Sequence, residues 1–157
     1  MNELKIIKGP LPDSISLKEF SRVATEFYKD AKLSIDYSGF LSRTMELFAS
    51  ATFLNEKIWD IFVNEVNGEI KAYFLCAVEK AIDGNLCYTV HQGWITQELR
   101  SSGCHKEWWK QVKERARKLF CNQMLISSVR NYEAYKRWLG EENLSLHSEL
   151  LHLKLEE

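Results

Sequence analysis

The residues best placed to do chemistry stand together in Ile95-Thr96-Gln97-Glu98-Leu99-Arg100-Ser101-Ser102-Gly103-Cys104-His105. This segment lies between a run that reads as a strand and a longer run that reads as a helix. A loop that opens a helix presents unpaired amide hydrogens and the positive end of the helix dipole, an arrangement that suits a pyrophosphate. Gly103 lets the backbone come close to a phosphate, and Arg100 adds a charge-assisted donor. Upstream, strict alternation along the strand puts His91, Gly93 and Ile95 on one face. Imidazole is the side chain most suited to trading protons near neutral pH. Cys104-His105 does not form a hydrolase pair, because neighbours on a helix diverge by about 100°. His91, His105, His147 and His152 are scattered without ligand spacing, so no metal site is expected.

The elements around this loop follow from periodicity. Leu4 to Ile7 reads as a short strand, closed by Gly9-Pro10-Leu11-Pro12, where the prolines remove donors and fix φ. Ser14 or Ser16 can cap the helix carried by Leu17, Phe20, Val23, Ala24, Phe27 and Ala31. Phe40, Leu41, Met45, Phe48 and Ala51 mark a second helix. Lys57 to Val66 and Glu69 to Glu79 flank Asn67-Gly68, a pair that supplies the positive φ angles of a tight hairpin turn. Alternation on the second strand groups Ile70, Ala72, Phe74, Cys76 and Val78 on one face. Asp83-Gly84-Asn85 turns into the strand Leu86 to Ile95. A helix from about Gly103 to Phe120 follows, then a strand from Gln123 to Val129, a short helix from Tyr132 to Leu139, and a terminal strand region from Leu144 to Leu155. In that last region the apolar phase slips between Leu150 and Leu151, which calls for a bulge or turn. The order is α/β of the mixed α+β kind, with helices on a mostly antiparallel sheet that contains one parallel crossover.

A length of 157 residues fits one domain over 1–157, and 45% hydrophobic with 27% charged residues is an ordinary globular composition. The net charge of −1 argues against broad capture of nucleic acid or of an anionic membrane. No apolar run approaches the roughly 20 residues of a membrane helix, and Met1-Asn2-Glu3-Leu4-Lys5 is too polar for a signal peptide. Cys76, Cys87, Cys104 and Cys121 are widely spaced and read as free thiols in a reducing compartment, a cytoplasm of the cell or of a host. The helix from Lys106 to Lys118 carries six basic residues against two glutamates, read as a solvated basic face. In Trp108-Trp109 one ring faces the sheet and its neighbour points elsewhere, which expects an exposed aromatic for a protein partner or a second copy of the chain.

At this point the residues resemble a family. Arg100-Ser101-Ser102-Gly103-Cys104-His105 is similar to the acyl-CoA pyrophosphate loop of GNAT (GCN5-related N-acyltransferase) proteins, Gln/Arg-x-x-Gly-x-Gly/Ala. Arg100 and Gly103 match its first two fixed positions, and His105 stands where the family has a residue with little or no side chain. Asn131-Tyr132-Glu133-Ala134 resembles the family's Asn-x-x-Ala at the start of the helix after the fifth strand, and Gly140 resembles the glycine that ends that helix. The resemblance implies acetyl-CoA or another acyl-CoA as cofactor and a small amine as acceptor. It places the cofactor between strands 86–95 and 123–129, parallel and splayed apart. Amides near Gly93 and Ile95 would meet the pantetheine arm, and Ser101, Ser102, Gly103, Cys104 and His105 the pyrophosphate, with Arg100 and Asn131 beside them.

The family's catalytic groups are often a carboxylate on one of the splayed strands and a tyrosine in the short helix. Here no Asp or Glu lies between Leu86 and Gln97 or between Gln123 and Val129, and Trp138 occupies the tyrosine's position. His91 as base and Tyr135, or Tyr132 before it, as acid are the expected substitutes. The implied function is an N-acyltransferase of weak activity. The alternative is a catalytically inactive structural or binding component, like the degenerate members found in bacteriophages, some of them in virions.

Overall fold

The computed structural model describes residues 3–7, 16–33, 35–53, 59–81, 83–127 and 132–140, with the side chains of 50–53, 132, 134 and 135 left aside. Asn131, the 9–12 turn and the expected terminal strand lie outside the described residues. Strand β1 (Lys5–Ile7) precedes helices α1 (Leu17–Ala31) and α2 (Tyr37–Phe53). Ser16 caps α1, its Oγ accepting from the Glu19 amide at 3.2 Å. Lys32 closes the helix in the left-handed region at φ 50°. The Asp36 carboxylate accepts from the Gly39 amide at 2.6 Å at the start of α2.

Strands β2 (Trp59–Val66), β3 (Glu69–Lys80) and β4 (Leu86–Ile95) form an antiparallel meander. Asn67 and Gly68, at φ 53° and 81°, make the expected hairpin turn, because two consecutive positive φ angles match the twist of the flanking strands. After β4 come the one-turn helix α3 (Gln97–Arg100), the long helix α4 (Cys104–Lys118), strand β5 (Gln123–Ile126) and helix α5 (Tyr132–Leu139). The sheet order is β1-β2-β3-β4-β5, and β5 runs parallel to β4 as expected. Among the described residues no helix is long and apolar enough to cross a membrane, and no cluster of His, Cys, Asp or Glu could hold a metal ion.

Each face of the sheet buries its own core. Phe62, Phe74, Tyr88, Val90 and Ile95 meet Trp108, Trp109, Val112 and Ala116 of α4 and Leu139 of α5. On the other face Ile61, Val63, Tyr73, Leu75 and Trp94 meet Phe20 and Val23 of α1 and Phe48 of α2. Two corrections follow from this packing. Ile70 lies in the α1/α2 core and not with Ala72 and Phe74. The ladder pairs Asn64 with Ala72 and Glu65 with Ile70, so Lys71 is a bulged residue that shifts the phase of alternation. The expected exposed tryptophan is also absent: Trp108 and Trp109 are 0% and 5% exposed. α4 is covered by the sheet and by α5, which gives each indole a buried neighbour.

Asp60 fastens α4 to the sheet. It is fully buried on β2 and accepts from Tyr88 Oη at 2.5 Å, from Arg115 Nε at 2.9 Å and from Arg115 Nη2 at 3.2 Å. Arg115, read from sequence as part of a solvated basic face, is turned inward to this carboxylate. Burial, with Cys76 and Asp60 nearby, pushes the Tyr88 phenol well above its usual range, and burial does the same to the Cys76 thiol. Removing one partner of a buried pair leaves an uncompensated charge. Arg115→Met is expected to cost about 3 kcal/mol, the low end for such losses because the guanidinium reaches solvent. A urea titration with an unchanged slope and a lowered midpoint would show it.

Candidate functional site

The parallel pairing of β4 and β5 is short. Cys87, Tyr88, Thr89 and Val90 pair with Gln123, Met124, Leu125 and Ile126, and the Ser127 amide then donates to the Val90 carbonyl at 3.0 Å. Beyond Val90, β4 continues only along β3, with Gln92 to Ile95 opposite Leu75 to Ala72. The β5 side of that stretch has no strand partner among the described residues. A narrow cleft opens there, on the α4 face. Val90 and Gly93 form its β4 wall, Ile126 and Ser127 its β5 wall, and Phe74, Trp109, Trp138 and Leu139 close it. Its free space is about 20 Å³, room for roughly one water. Gly93 belongs to this geometry, since a Cβ there would sit 3.0 Å from Phe74 Cδ1.

The loop after β4 is tied down by its own side chains. Ser102 Oγ donates to the Leu99 carbonyl at 2.8 Å and accepts from the Cys104 amide at 3.3 Å. Gly103, at φ 78°, caps α4 in a conformation that disfavours a side chain. The amides of Gly103 and His105 find no acceptor among the described residues, which leaves donors at the positive end of a helix of 15 residues.

Arg100 is turned toward α1 and stays a third exposed. Its Nε donates to the Ile95 carbonyl at 2.8 Å, and its Nη2 pairs with Asp30 of α1, which also accepts from Trp94 Nε1 at 3.2 Å. The guanidinium therefore fastens the loop to α1. His105 is buried and stacks on Trp138 with ring centroids 4.8 Å apart and planes at 11°. Its Nε2 lies 2.9 Å from the Trp138 carbonyl, so that nitrogen donates, while Nδ1 is buried without a partner. Where a small residue was expected, a large one links the start of α4 to the end of α5.

His91 departs from the sequence reading. The β3–β4 ladder pairs Leu75 with Gln92 and Cys76 with Val90, so His91 is an unopposed, bulged residue. The bulge keeps it on the α1/α2 face, its ring 5.2 Å from that of Trp59, which packs against that core. Gly93 and Ile95 lie on the α4 face. His91 Nε2 is 3.2 Å from Glu79 Oε1 of β3. Sequence reasoning missed Glu79 because it looked for a carboxylate on β4 and β5 alone. The hairpin register held the signal: both side chains share a face and reach over the Ala77–Thr89 pair between them. Tyr135 begins the second turn of α5; Gly140 follows that helix at φ 69°, as expected of its end.

No protein-family model matches the sequence, and no curated protein is recognisably similar to it. Solved structures answer differently. An aminoglycoside antibiotic 6'-N-acetyltransferase of Acinetobacter haemolyticus matches over 99% of both chains at a TM-score of 0.65 and 12% identity. The chain has the GNAT fold. A ribosomal-protein-alanine N-acetyltransferase of Brucella melitensis shares this fold over 98% of this chain and 99% of its own, at a TM-score of 0.63 and 12% identity. A structure named as a predicted acetyltransferase of Clostridium acetobutylicum, with acetyl-CoA, covers 97% and 95%, at 0.68 and 12%. At such identities the agreement is one of GNAT architecture.

Gly93 leaves little room for a methyl group. Gly93→Ala is expected to cost about 1–3 kcal/mol by overpacking, measured by chemical denaturation. The additional change Phe74→Leu should recover part of the loss by freeing the space that the new Cβ needs.

Proposed function

We propose that this chain is an acyl-CoA-dependent N-acyltransferase of low activity that acts on a primary amine. The observation that carries this reading is a coincidence of position. The strands part immediately after Val90, and the next residue is His91. A thioester arm lying in the cleft would reach the same rung of the sheet that His91 approaches from the opposite face. The cleft as it stands has room for about one water, so its walls would part to admit the arm, and the residues around it suit such a molecule. Gly93 leaves a side-chain-free wall, and the amides of Gly103 and His105 remain as donors at the α4 terminus for a pyrophosphate. Acyl-CoA would supply an activated acyl group. The amine nitrogen forms the new C–N bond, the C–S bond breaks as thiolate leaves, and His91 takes the amine proton.

Low activity follows from what accompanies His91. Trp138 cannot donate a proton to the departing thiolate as a tyrosine could, and His105 fills space beside the cleft. General acid–base help contributes roughly 10²–10⁴-fold, and only the base half is assembled among the described side chains. Free thiol released from acetyl-CoA is the assay, run over aminoglycosides, peptides with N-terminal alanine and small diamines, the first two suggested by the GNAT neighbours. Slow, amine-dependent release is expected, with His91→Ala lowering kcat about 10²-fold or more and leaving calorimetric acetyl-CoA binding intact. Absence of both binding and turnover would overturn this reading in favour of a non-catalytic binding or structural component.

A further inference from the structure

We infer that Glu79 is a positioning residue for His91, a carboxylate supplied by β3 in place of the one that β4 and β5 lack. This rests on the proposed role of His91 as base. The two side chains come from adjacent strands, Nε2 to Oε1 at 3.2 Å, each about a third exposed or less. A surface ion pair of this kind adds little to stability, so its significance is directional. A carboxylate oxygen accepts, which assigns the ring proton to Nε2 and leaves Nδ1 as the nitrogen with a lone pair. His91 needs such a partner more than an ordinary strand residue does. As the bulged residue it has no opposite number on β3, so the ladder does not fix its ring. Trp59, with its ring at 5.2 Å and 34° to the imidazole, restricts the ring on one side but carries no acceptor, since indole only donates. Glu79 is the acceptor that selects the tautomer.

A group that orients a histidine through its second nitrogen is typically worth 10- to 100-fold in activity where such partners have been removed from metal-bound histidines, and a similar scale is expected here. The test compares Glu79→Leu, which removes the acceptor, with Glu79→Gln, whose amide oxygen can still accept from Nε2. Imidazole ¹⁵N spectra of His91 in weakly alkaline buffer report the tautomer whether or not the protein turns over. The Nε2–H form is expected in the parent chain and in Glu79→Gln, and a mixture of tautomers in Glu79→Leu. In thiol-release assays, kcat should fall at least tenfold in Glu79→Leu and recover largely in Glu79→Gln. The KM for acetyl-CoA should stay unchanged, because the cleft lies on the other face. An unchanged tautomer in Glu79→Leu, or equal losses of kcat in both variants, would overturn the inference. If the parent chain turns over no amine, the proposed activity fails by itself, and the spectra still decide whether Glu79 sets the tautomer.

Discussion

The candidate site depends on where one parallel strand pair stops. Four rungs join β4 to β5, and the pairing ends while β4 still has five residues to run. Parallel ladders are slightly weaker per residue than antiparallel ones, and here the β3 side of β4 stays paired on both sides of the His91 bulge while the β5 side is released. The released edge has amide and carbonyl groups that no strand satisfies among the described residues, and buried backbone groups do not stay unpaired without cost. A ligand that runs alongside β4 as an extended chain would satisfy them, and under the proposed function that ligand is the pantetheine arm.

The rest of the fold holds that break open. α4 must keep its N-terminus beside the end of β4, and two fastenings at different heights do this. At its C-terminal half Arg115 reaches the buried Asp60; at its start His105 stacks on Trp138 of α5. The loop between β4 and α4 is anchored on the opposite layer, since Arg100 and Trp94 share Asp30 of α1. Both helical layers are thus connected through the end of one strand.

Much of this was legible in the sequence, because its signals are local. Asn67-Gly68 specified a hairpin, helical spacing marked α1, α2 and α4, and the β-α-β order implied the parallel pair. What escaped was non-local or arose from one extra residue. Period-two alternation has no means of announcing Lys71 or His91 as bulges, so Ile70 and His91 were put on the wrong faces. Arg100 reads as a phosphate ligand from its place beside a glycine turn, and its pairing with Asp30, seventy residues earlier, leaves no local signal. One of Trp108 and Trp109 reads as exposed because a helix alone shows only its own two sides, and α5 supplies the second cover. Glu79 lies on β3, and only the register of the β3–β4 ladder brings it to His91.

The bulge at His91 also bears on how such a chain can change over time. With that residue set aside, Tyr88, Val90, Gly93 and Ile95 fall on one face of β4 and Gln92 and Trp94 on the other, an unbroken alternation. The hydrophobic cores on both faces are therefore complete without it, and position 91 belongs to neither. A chain built this way can exchange the residue at position 91 while the buried residues on either side of it stay in register.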